Sequence, residues 1–244
     1  MSRPGPIPPR VWWVGMIQRN LVSFQKEQPM RSRTLRLLSI AIVCVAWTLM
    51  GGTAGAQSDS HDHAHAAVGK PAPMFSLKDT TGKTHTLEDI LKKEDTKAVV
   101  LEWFNHTCPI CARHGQAKTM SKLVDKYKDK GVVWFGIDST HANEGKESEI
   151  NETIKKWGVN YAILTDFNGE VGHIYGAKTT PHMFIIDKKG AVVYMGAIDD
   201  DPRGKKAETE RTVHVADALD QVLAGETVAN AQTKAYGCSV KYKQ

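Results

Sequence analysis

The sequence predicts an α/β domain over residues 68–224, in which a mixed central β-sheet is flanked by helices. Apolar runs of strand length alternate there with segments whose apolar residues recur at helical spacing. The last two predicted strands are joined by Asp187-Lys188-Lys189-Gly190, a sequence typical of a hairpin turn. Because strands separated by helices pair in parallel and a hairpin pairs antiparallel, we expect a sheet that contains both kinds of pairing.

Each element of the domain is predicted from its own pattern. An extended segment at 71–79 leads to a short helix at 86–93, where Thr86 suits the N-cap and acidic residues fill the first turn. Strands are predicted at continuous or alternating apolar runs, namely 98–104, 132–137, 161–165, 182–186 and 191–195. Helices are predicted where the apolar spacing is helical, namely 109–130, 147–157, 171–175 and 212–223. Residues 225–244 are predicted to form a C-terminal tail.

The N-terminal region has the pattern of an export signal. An arginine-rich stretch at 31–36 precedes an apolar stretch at 37–50, and the small residues Ala54-Gly55-Ala56 follow. This order is typical of a cleaved secretory signal peptide. An uncleaved membrane anchor is the alternative, because 37–56 is close to the about 20 residues that span a bilayer. Both interpretations place residues 57–244 outside the cytoplasm, on the periplasmic or extracellular side.

Two further segments lie outside the predicted domain. Residues 1–29 begin with a Pro-rich stretch, and we interpret them as the product of an upstream start, with the signal peptide at 30–56 beginning at Met30, or as disordered. Residues 57–67 are predicted to be a flexible leader that contains alternating histidines, His61, His63 and His65. Such a tract can bind a metal ion, but a short exposed one is usually solvated, so we expect no resident metal.

The formal net charge of +5 does not belong to the predicted domain. Residues 1–56 contain seven of the 32 Lys and Arg residues and one of the 27 Asp and Glu residues. The remaining chain has 25 basic and 26 acidic residues, a formal charge of −1. A nearly neutral domain gives no reason to expect nucleic acid as a partner.

The strongest signal of chemistry is Cys108-Pro109-Ile110-Cys111, which lies between a predicted strand and a predicted helix. At a helix N-terminus the free backbone N–H groups and the helix dipole stabilise a thiolate, the form of cysteine that attacks disulfides and peroxides. Half of a zinc site, or two buried cysteines without function, are the other interpretations. A zinc site needs two further ligands at suitable spacing, and the sequence contains no second CxxC. We therefore expect redox chemistry at this pair.

Three separated stretches resemble the thioredoxin fold in its extracytoplasmic redoxin branch, over about residues 68–197. They are the opening segment at 69–77, the passage from strand to CxxC, and Thr180-Pro181 followed by the strand at 183–187. That branch includes membrane-tethered thiol-disulfide reductases and the alkyl hydroperoxide reductase/thiol-specific antioxidant proteins. The resemblance implies a thioredoxin-like sandwich.

The resemblance also implies roles for individual residues. Pro181 should follow a cis peptide bond and lie beside the CxxC, so that Thr180 and Pro181 orient an incoming partner. Cys108 would be the nucleophile, and Cys111 would resolve the mixed disulfide. Glu102 occupies the position of the buried acid that thioredoxins have behind the active site.

The physical chemistry of Glu102 agrees with such a role. A carboxyl between Leu101 and Trp103 in a buried strand should have a raised pKa and could exchange a proton with a buried sulfur. Glu102 could instead face outward or pair with a lysine. His106, just before the CxxC, could stabilise the Cys108 thiolate if it were protonated.

Cys238 leaves an odd number of cysteines in the predicted mature chain. Its surroundings resemble the C-terminal cysteine segment of some thiol-specific antioxidant relatives, in which case it could resolve a sulfenic acid on Cys108. It could also fold back over the active site as a third thiol, or remain free and exposed. Asn105 stands where peroxiredoxins have a Thr, and this departure argues against peroxidase activity.

Three functions follow from these observations. The leading prediction is an exported thiol-disulfide oxidoreductase that needs no cofactor, acts on protein thiols and disulfides, and exchanges electrons with an external reductant or oxidant. A thioredoxin-like peroxidase with Cys108 as the peroxidatic residue and either Cys111 or Cys238 as the resolving one is the alternative. A copper-binding protein of this fold is the third, because thiolates select Cu(I) and several histidines are available, among them His173 and His182.

Overall fold

The computed structural model describes residues 65–243. The predicted upstream segment at 1–29, the signal peptide at 30–56, and His61 and His63 of the leader lie outside the described residues. Between residues 65 and 243, no helix is long and apolar enough to cross a membrane.

The domain is built on a seven-stranded mixed sheet with helices on both faces. The described strands are β1 (Ser76–Asp79), β2 (Thr84–Thr86), β3 (Ala98–Trp103), β4 (Val132–Asp138), β5 (Ala162–Thr165), β6 (Thr179–Thr180), β7 (Met183–Asp187), β8 (Val192–Gly196) and β9 (Cys238–Ser239). The described α-helices are α1 (Leu87–Lys92), α2 (Pro109–Gln116), α3 (Thr119–Tyr127), α4 (Glu147–Trp157), α5 (Glu170–Tyr175) and α6 (His214–Leu223). The large sheet has the order β2-β1-β5-β4-β3-β7-β8, and β6 and β9 pair separately.

Pairing within the large sheet is of both kinds, as the sequence predicts. Strand β3 pairs in parallel with β4 and antiparallel with β7, and β4 pairs in parallel with β5. The hairpin of β7 and β8 is closed by the predicted turn, in which the Asp187 carboxylate accepts hydrogen bonds from the backbone N–H groups of Lys189 and Ala191, both at 2.9 Å. The predicted mixed α/β sandwich is confirmed.

Strand β3 lies at the centre of the core, and all six of its residues are buried. On one face of the sheet, Trp103 packs against Tyr175 and Phe184 with ring centroids 5.2 and 5.1 Å away. On the other face, Val100 belongs to a second apolar cluster that includes Leu219 of α6. Burial of one such side chain is worth about 1.5–3 kcal/mol, so this strand holds a rigid platform at its C-terminal end, where the CxxC begins.

The predicted continuous helix at 109–130 is wrong. Helix α2 ends at Gln116, and α3 begins at Thr119 after Lys118, whose φ of 54° is left-handed. Gly115 disfavours helix and packs closely on Trp157, since a Cβ there would lie 2.5 Å from the indole. The break lets α2 carry the cysteines at its own angle while α3 covers the sheet.

Three short strands were missed by the sequence pattern: β2, β6 and β9. Each has only two or three residues, which is too short for alternation to show. The pairing of β6 with β9 means that the C-terminal residues are not a free tail, because they are hydrogen-bonded to the domain.

Helix α1 begins at the predicted N-cap. The Thr86 hydroxyl accepts a hydrogen bond from the Asp89 backbone N–H at 3.2 Å and donates one to the Asp89 carboxylate at 2.6 Å. We expect Thr86→Ala to lower the free energy of unfolding by about 1 kcal/mol, as measured by urea denaturation. Thr84→Ala, the same substitution at an exposed strand position, should change it by less than about 0.5 kcal/mol. Equal effects of the two substitutions would contradict the capping role.

Candidate active site

The CxxC lies where the C-terminal end of β3 meets the first turn of α2. Cys108 is the N-cap of α2, with extended backbone angles of φ −77° and ψ 123°, and Pro109 is the first helical residue. Proline fits there because that N–H has no partner in a helix. Cys108 therefore stands beside the free N–H groups of the first turn, as the sequence predicts.

A polar network shapes the turn before Cys108. The Asn105 side-chain oxygen accepts hydrogen bonds from the Thr107 backbone N–H and hydroxyl, both at 2.9 Å. The Asn143 amide donates to Asn105 at 3.3 Å and to the Asp138 carboxylate at 2.7 Å. Asn105, which the resemblance marks as a departure from peroxiredoxins, thus supports the conformation of the loop.

The sulfur of Cys108 is enclosed by three neighbours and is only 2 % exposed. Its Sγ lies 3.0 Å from the Thr180 carbonyl oxygen and 2.9 Å from the Sγ of Cys238. Hydrogen bonding from the Cys111 thiol, with a further contribution from Cys238, lowers the pKa of Cys108 despite the opposing effect of burial. Because the thiolate is the nucleophilic form, Cys108 is suited to attack.

Cys111 lies one turn further along α2 and has the opposite character. It is also 2 % exposed, and its burial raises the pKa of its thiol well above the ordinary value. The surroundings thus favour the thiolate form of Cys108 and the protonated thiol form of Cys111.

The Thr180–Pro181 peptide bond is cis, as the resemblance implies. Thr180 is buried and belongs to β6, and its carbonyl oxygen faces the Cys108 sulfur. The structure therefore brings Thr180 and Pro181 to the CxxC from a part of the chain that is distant in sequence.

Glu102 is buried behind the CxxC and does not face outward, and no lysine between residues 65 and 243 pairs with it. It is 1 % exposed and accepts a hydrogen bond from the Tyr161 hydroxyl at 2.7 Å. Burial raises the pKa of Glu102 to about 7. Glu102, Tyr161 and Cys111 line one small cavity, with room for about one water molecule.

A segment that we name the C-terminal strap, residues 236–242, covers the CxxC. Its β9 pairs antiparallel with β6, with Cys238 opposite Thr180. Before Cys238, the Tyr236 hydroxyl donates to the Asp199 carboxylate and lies 3.1 Å from Nε2 of His114. These contacts therefore fix the strap on the N-terminal side of Cys238.

Contacts also fix the strap on the C-terminal side of Cys238. The Tyr242 hydroxyl donates to the Ala177 carbonyl at 2.7 Å, and its ring stacks on His173 at 4.1 Å. The Val240 N–H donates to the Lys178 carbonyl at 3.1 Å. Anchors on both sides of Cys238 explain why the Cys108 sulfur is closed to solvent.

Gly237 lets the strap approach the Thr180–Pro181 bond. Its φ of 140° disfavours other residues, and a Cβ would overlap the Thr180 carbonyl oxygen. We expect Gly237→Ala to lift the strap and to raise the rate of Cys108 alkylation by iodoacetamide about tenfold or more. Gly225→Ala is the control, since Gly225 also has positive φ but a Cβ added there would have no atom within 4 Å. An unchanged alkylation rate in Gly237→Ala would contradict this role.

The candidate histidines that the structure describes, His65, His106, His173 and His182, do not form one metal-binding group. His65 contacts the His173 carbonyl oxygen at 2.8 Å, and His182 is buried against Phe184. Burial lowers the pKa of His106, which disfavours the charged imidazole that stabilisation of the Cys108 thiolate would need. Within residues 65–243, no three His, Cys, Asp or Glu side chains form a group that could hold a metal ion.

Three tyrosines of the site were missed at the sequence level: Tyr161, Tyr236 and Tyr242. Tyr161 begins a predicted strand and gives no signal of its partner, Glu102. Tyr236 and Tyr242 flank Cys238 at distances of two and four residues, and this pattern in a polar tail was the available signal.

Comparison with known proteins identifies the family. The AhpC/TSA family matches residues 68–195, more than half of the chain. The chain belongs to the AhpC/TSA family. The matched residues of this AhpC/TSA protein include the CxxC and Thr180-Pro181, whereas Cys238 and the C-terminal strap lie beyond them.

Relatives of this AhpC/TSA protein agree with the predicted function. It is 29 % identical over 126 residues to the thiol-disulfide oxidoreductase ResA of Bacillus thuringiensis subsp. konkukian. The aligned residues cover 52 % of this chain and 67 % of that relative. A solved structure of an uncharacterized conserved protein from Geobacillus kaustophilus is similar with a TM-score of 0.63 at 30 % identity, covering 72 % of this chain and 93 % of the other. A hypothetical protein from Sinorhizobium meliloti 1021 gives a TM-score of 0.64 at 27 % identity, covering 72 % and 95 %. The predicted redoxin family and thioredoxin-like fold are confirmed.

Proposed function

We propose that this AhpC/TSA protein is a thiol-disulfide oxidoreductase in which Cys108 is the attacking residue and Cys111 the resolving one. The observation that carries the proposal is the placement of the two cysteines one helical turn apart: Cys108 is the N-cap of α2, beside the free N–H groups of its first turn, and Cys111 is buried and lines one small cavity with Glu102. Hydrogen bonding from Cys111 lowers the pKa of Cys108, and burial raises that of Cys111. An attacking sulfur has to be a thiolate, whereas a resolving sulfur should stay protonated until the mixed disulfide has formed.

In the reducing direction, the Cys108 thiolate attacks one sulfur of a substrate disulfide and releases the other as a thiolate. Cys111 then loses its proton and attacks the Cys108 sulfur of the mixed disulfide, so that the second substrate thiolate leaves. The substrate gains two electrons, and the pair closes as a disulfide. In the oxidising direction the same steps run in reverse.

Glu102 is proposed to accept the proton of Cys111 and to return it in the reverse reaction. With a pKa of about 7, the carboxyl is present in both protonation states near neutral pH. It lines the same small cavity as Cys111, so one water molecule could carry the proton.

Thr180 and Pro181 are proposed to orient the partner. The backbone of Thr180 already pairs with the strand that contains Cys238. A substrate peptide in extended conformation that displaces the C-terminal strap could use the same hydrogen-bonding groups.

The proposed substrates are protein thiols and disulfides, and an external reductant or oxidant would restore the pair after each cycle. The sequence pattern of a basic stretch, an apolar stretch and Ala54-Gly55-Ala56 supports action on the extracytoplasmic side. An oxidising compartment is also where a dithiol pair of this kind has disulfide substrates.

The test is a redox titration of the full-length chain, with disulfides mapped by mass spectrometry at each potential. We expect one two-electron transition that involves Cys108, and its midpoint distinguishes a reductant from an oxidant. A Cys108 that remains a thiol at every potential, while insulin reduction continues, would contradict the proposal.

A peroxidase is the second candidate, and the 2.9 Å separation of Cys108 and Cys238 supports it. The Cys108 thiolate would attack a peroxide oxygen to give a sulfenic acid and water or an alcohol. The Cys238 thiol would then condense with the sulfenic acid and release water. Peroxide consumption no faster than that of a free thiol would exclude this function.

A further inference from the structure

Three thiols meet at the active site, and only the outermost is open to solvent. Cys108 and Cys111 are each 2 % exposed, whereas Cys238 is partly exposed. Cys108 is the middle sulfur, because Cys111 lies one helical turn behind it in α2 and the sulfur of Cys238 lies 2.9 Å in front of it. A substrate that approaches from solvent therefore meets Cys238 before it meets Cys108.

The C-terminal strap is too well anchored to be treated as a loose cover. Tyr236 and Tyr242 fix it on either side of Cys238, and β9 pairs with β6 between them. Exchange between adjacent sulfurs needs none of these contacts to break. Direct attack by a substrate on Cys108 would need most of them to break.

We propose that Cys238 is a third catalytic residue, through which the disulfide passes between the buried CxxC pair and the substrate. The inference rests on the proposed redox role of the Cys108–Cys111 pair, and it replaces direct exchange between Cys108 and the substrate by exchange through Cys238. The substrate class it implies is a peptide dithiol, or the corresponding disulfide, that reaches the surface of β9 rather than the end of α2.

The exchange balances without another reactant. Starting from a Cys108–Cys111 disulfide, the Cys238 thiolate attacks the Cys108 sulfur, the Cys108–Cys238 bond forms, and Cys111 leaves as a thiolate that takes up a proton. A substrate thiolate then attacks the Cys238 sulfur and expels the Cys108 thiolate. The second substrate thiolate attacks the first substrate sulfur, which releases Cys238 and an oxidised substrate, and the enzyme has gained the two electrons.

The environment favours attack on the outer sulfur of that intermediate. In a disulfide, the sulfur with the lower thiol pKa leaves faster. Cys108 has the lowered pKa, and hydrogen bonding to Cys108 raises the pKa of Cys238. An external thiolate therefore meets an exposed electrophilic sulfur whose partner is a good leaving group.

The first test locates the attacked sulfur. Full-length Cys111→Ser chain is oxidised, its disulfide is mapped, and it is mixed with glutathione and quenched with acid. We expect a Cys108–Cys238 disulfide before mixing and glutathione on Cys238 afterwards. Failure to form that disulfide, or glutathione on Cys108, would overturn the proposal.

The second test measures the rate at which the oxidised chain oxidises a peptide dithiol. We expect Cys238→Ala and Cys238→Ser to lower this rate about tenfold or more, because the route through the outer sulfur is lost. Lys234→Ala, an exposed position just outside the strap, should leave it unchanged. If the strap only covers Cys108, the two Cys238 variants should oxidise the peptide dithiol as fast as the unmodified chain or faster, and this result would overturn the proposal.

The two proposals fail in different ways. If Cys108→Ser is inactive while both Cys238 variants retain full activity, the CxxC mechanism stands and the third catalytic residue is disproved. If Cys108→Ser is as active as the unmodified chain, the proposed function itself is wrong.

Discussion

Replacing Glu102 by glutamine is expected to stabilise the folded protein at pH 8 by about 2 kcal/mol while slowing its catalytic cycle. Burial raises the pKa of Glu102 from 4.5 to about 7 in the folded state. Between these pH values the unfolded chain is ionised at this residue and the folded chain is not, so the contribution of Glu102 to stability falls as the pH rises. Above the folded-state pKa, this shift lowers the free energy of unfolding by about 3 kcal/mol in total. Glutamine does not ionise and avoids this loss, but its unpaired amide costs about 1 kcal/mol, which leaves a net gain of about 2 kcal/mol.

Urea denaturation of the reduced protein at pH 5 and pH 8 checks this expectation. The difference in unfolding free energy between Glu102→Gln and the unmodified chain should grow in favour of the variant as the pH rises. Taking the difference removes the contribution of other titrating groups. Glu94→Gln, the same substitution at an exposed position, should show no such growth. A constant difference for Glu102→Gln would mean that the carboxyl is already ionised in the fold at pH 5.

The same variant should slow the resolving step about a hundredfold, because Cys111 loses the group proposed to accept its proton. The slow step should make a mixed disulfide with substrate accumulate, and acid quenching followed by mass spectrometry measures it. A merely structural role would not move this intermediate. Its failure to accumulate, at an unchanged rate, would remove Glu102 from the mechanism.

Replacing Cys108 by serine is expected to lower insulin reduction by at least about a thousandfold. A serine hydroxyl is not ionised near neutral pH, so it cannot use the hydrogen bonds that hold the Cys108 thiolate. Because the two side chains differ by one atom, the fold should be retained.

Cys111→Ser is the matched variant for that experiment. Combined with Cys238→Ala, which removes the other thiol beside Cys108, it keeps the attacking thiolate and has no resolving thiol, so this double variant should form a mixed disulfide with substrate and turn over slowly. The pair of variants thus separates attack from resolution. Full activity of Cys108→Ser, or no covalent intermediate with the double variant, would contradict the assigned roles.

Much of the fold and the centre of the site could be predicted from the sequence because those features depend on local patterns. The strand that became β3 is a continuous apolar run, and Cys108-Pro109 marks the start of a helix by itself. The burial of Glu102 was one of the alternatives that its position inside that run left open, and the structure selects it. The hydrogen bond that Glu102 accepts from Tyr161 could not be predicted, since it joins residues 59 positions apart.

The helix break and the C-terminal strap could not be predicted either, because both depend on contacts between residues that are distant in sequence. The end of α2 depends on the packing of Gly115 against Trp157, a contact that helical periodicity does not report. The strap pairs two residues of β9 with two residues of β6 across 58 positions at Thr180 and Cys238. Folding back of Cys238 was one of three alternatives at the sequence level, and only the tertiary structure selects it.

Because Cys108 lies between two other thiols, the number of electrons that the site stores does not determine where its disulfide lies. One sulfur can form only one disulfide at a time, so the three thiols together store two electrons, as a simple dithiol does. Cys238 adds a second location for the bond without adding to the number of electrons. Coulometry would therefore give the same result with or without Cys238, and only a method that locates the bond can tell how the protein divides its oxidised form between the buried and the exposed arrangement.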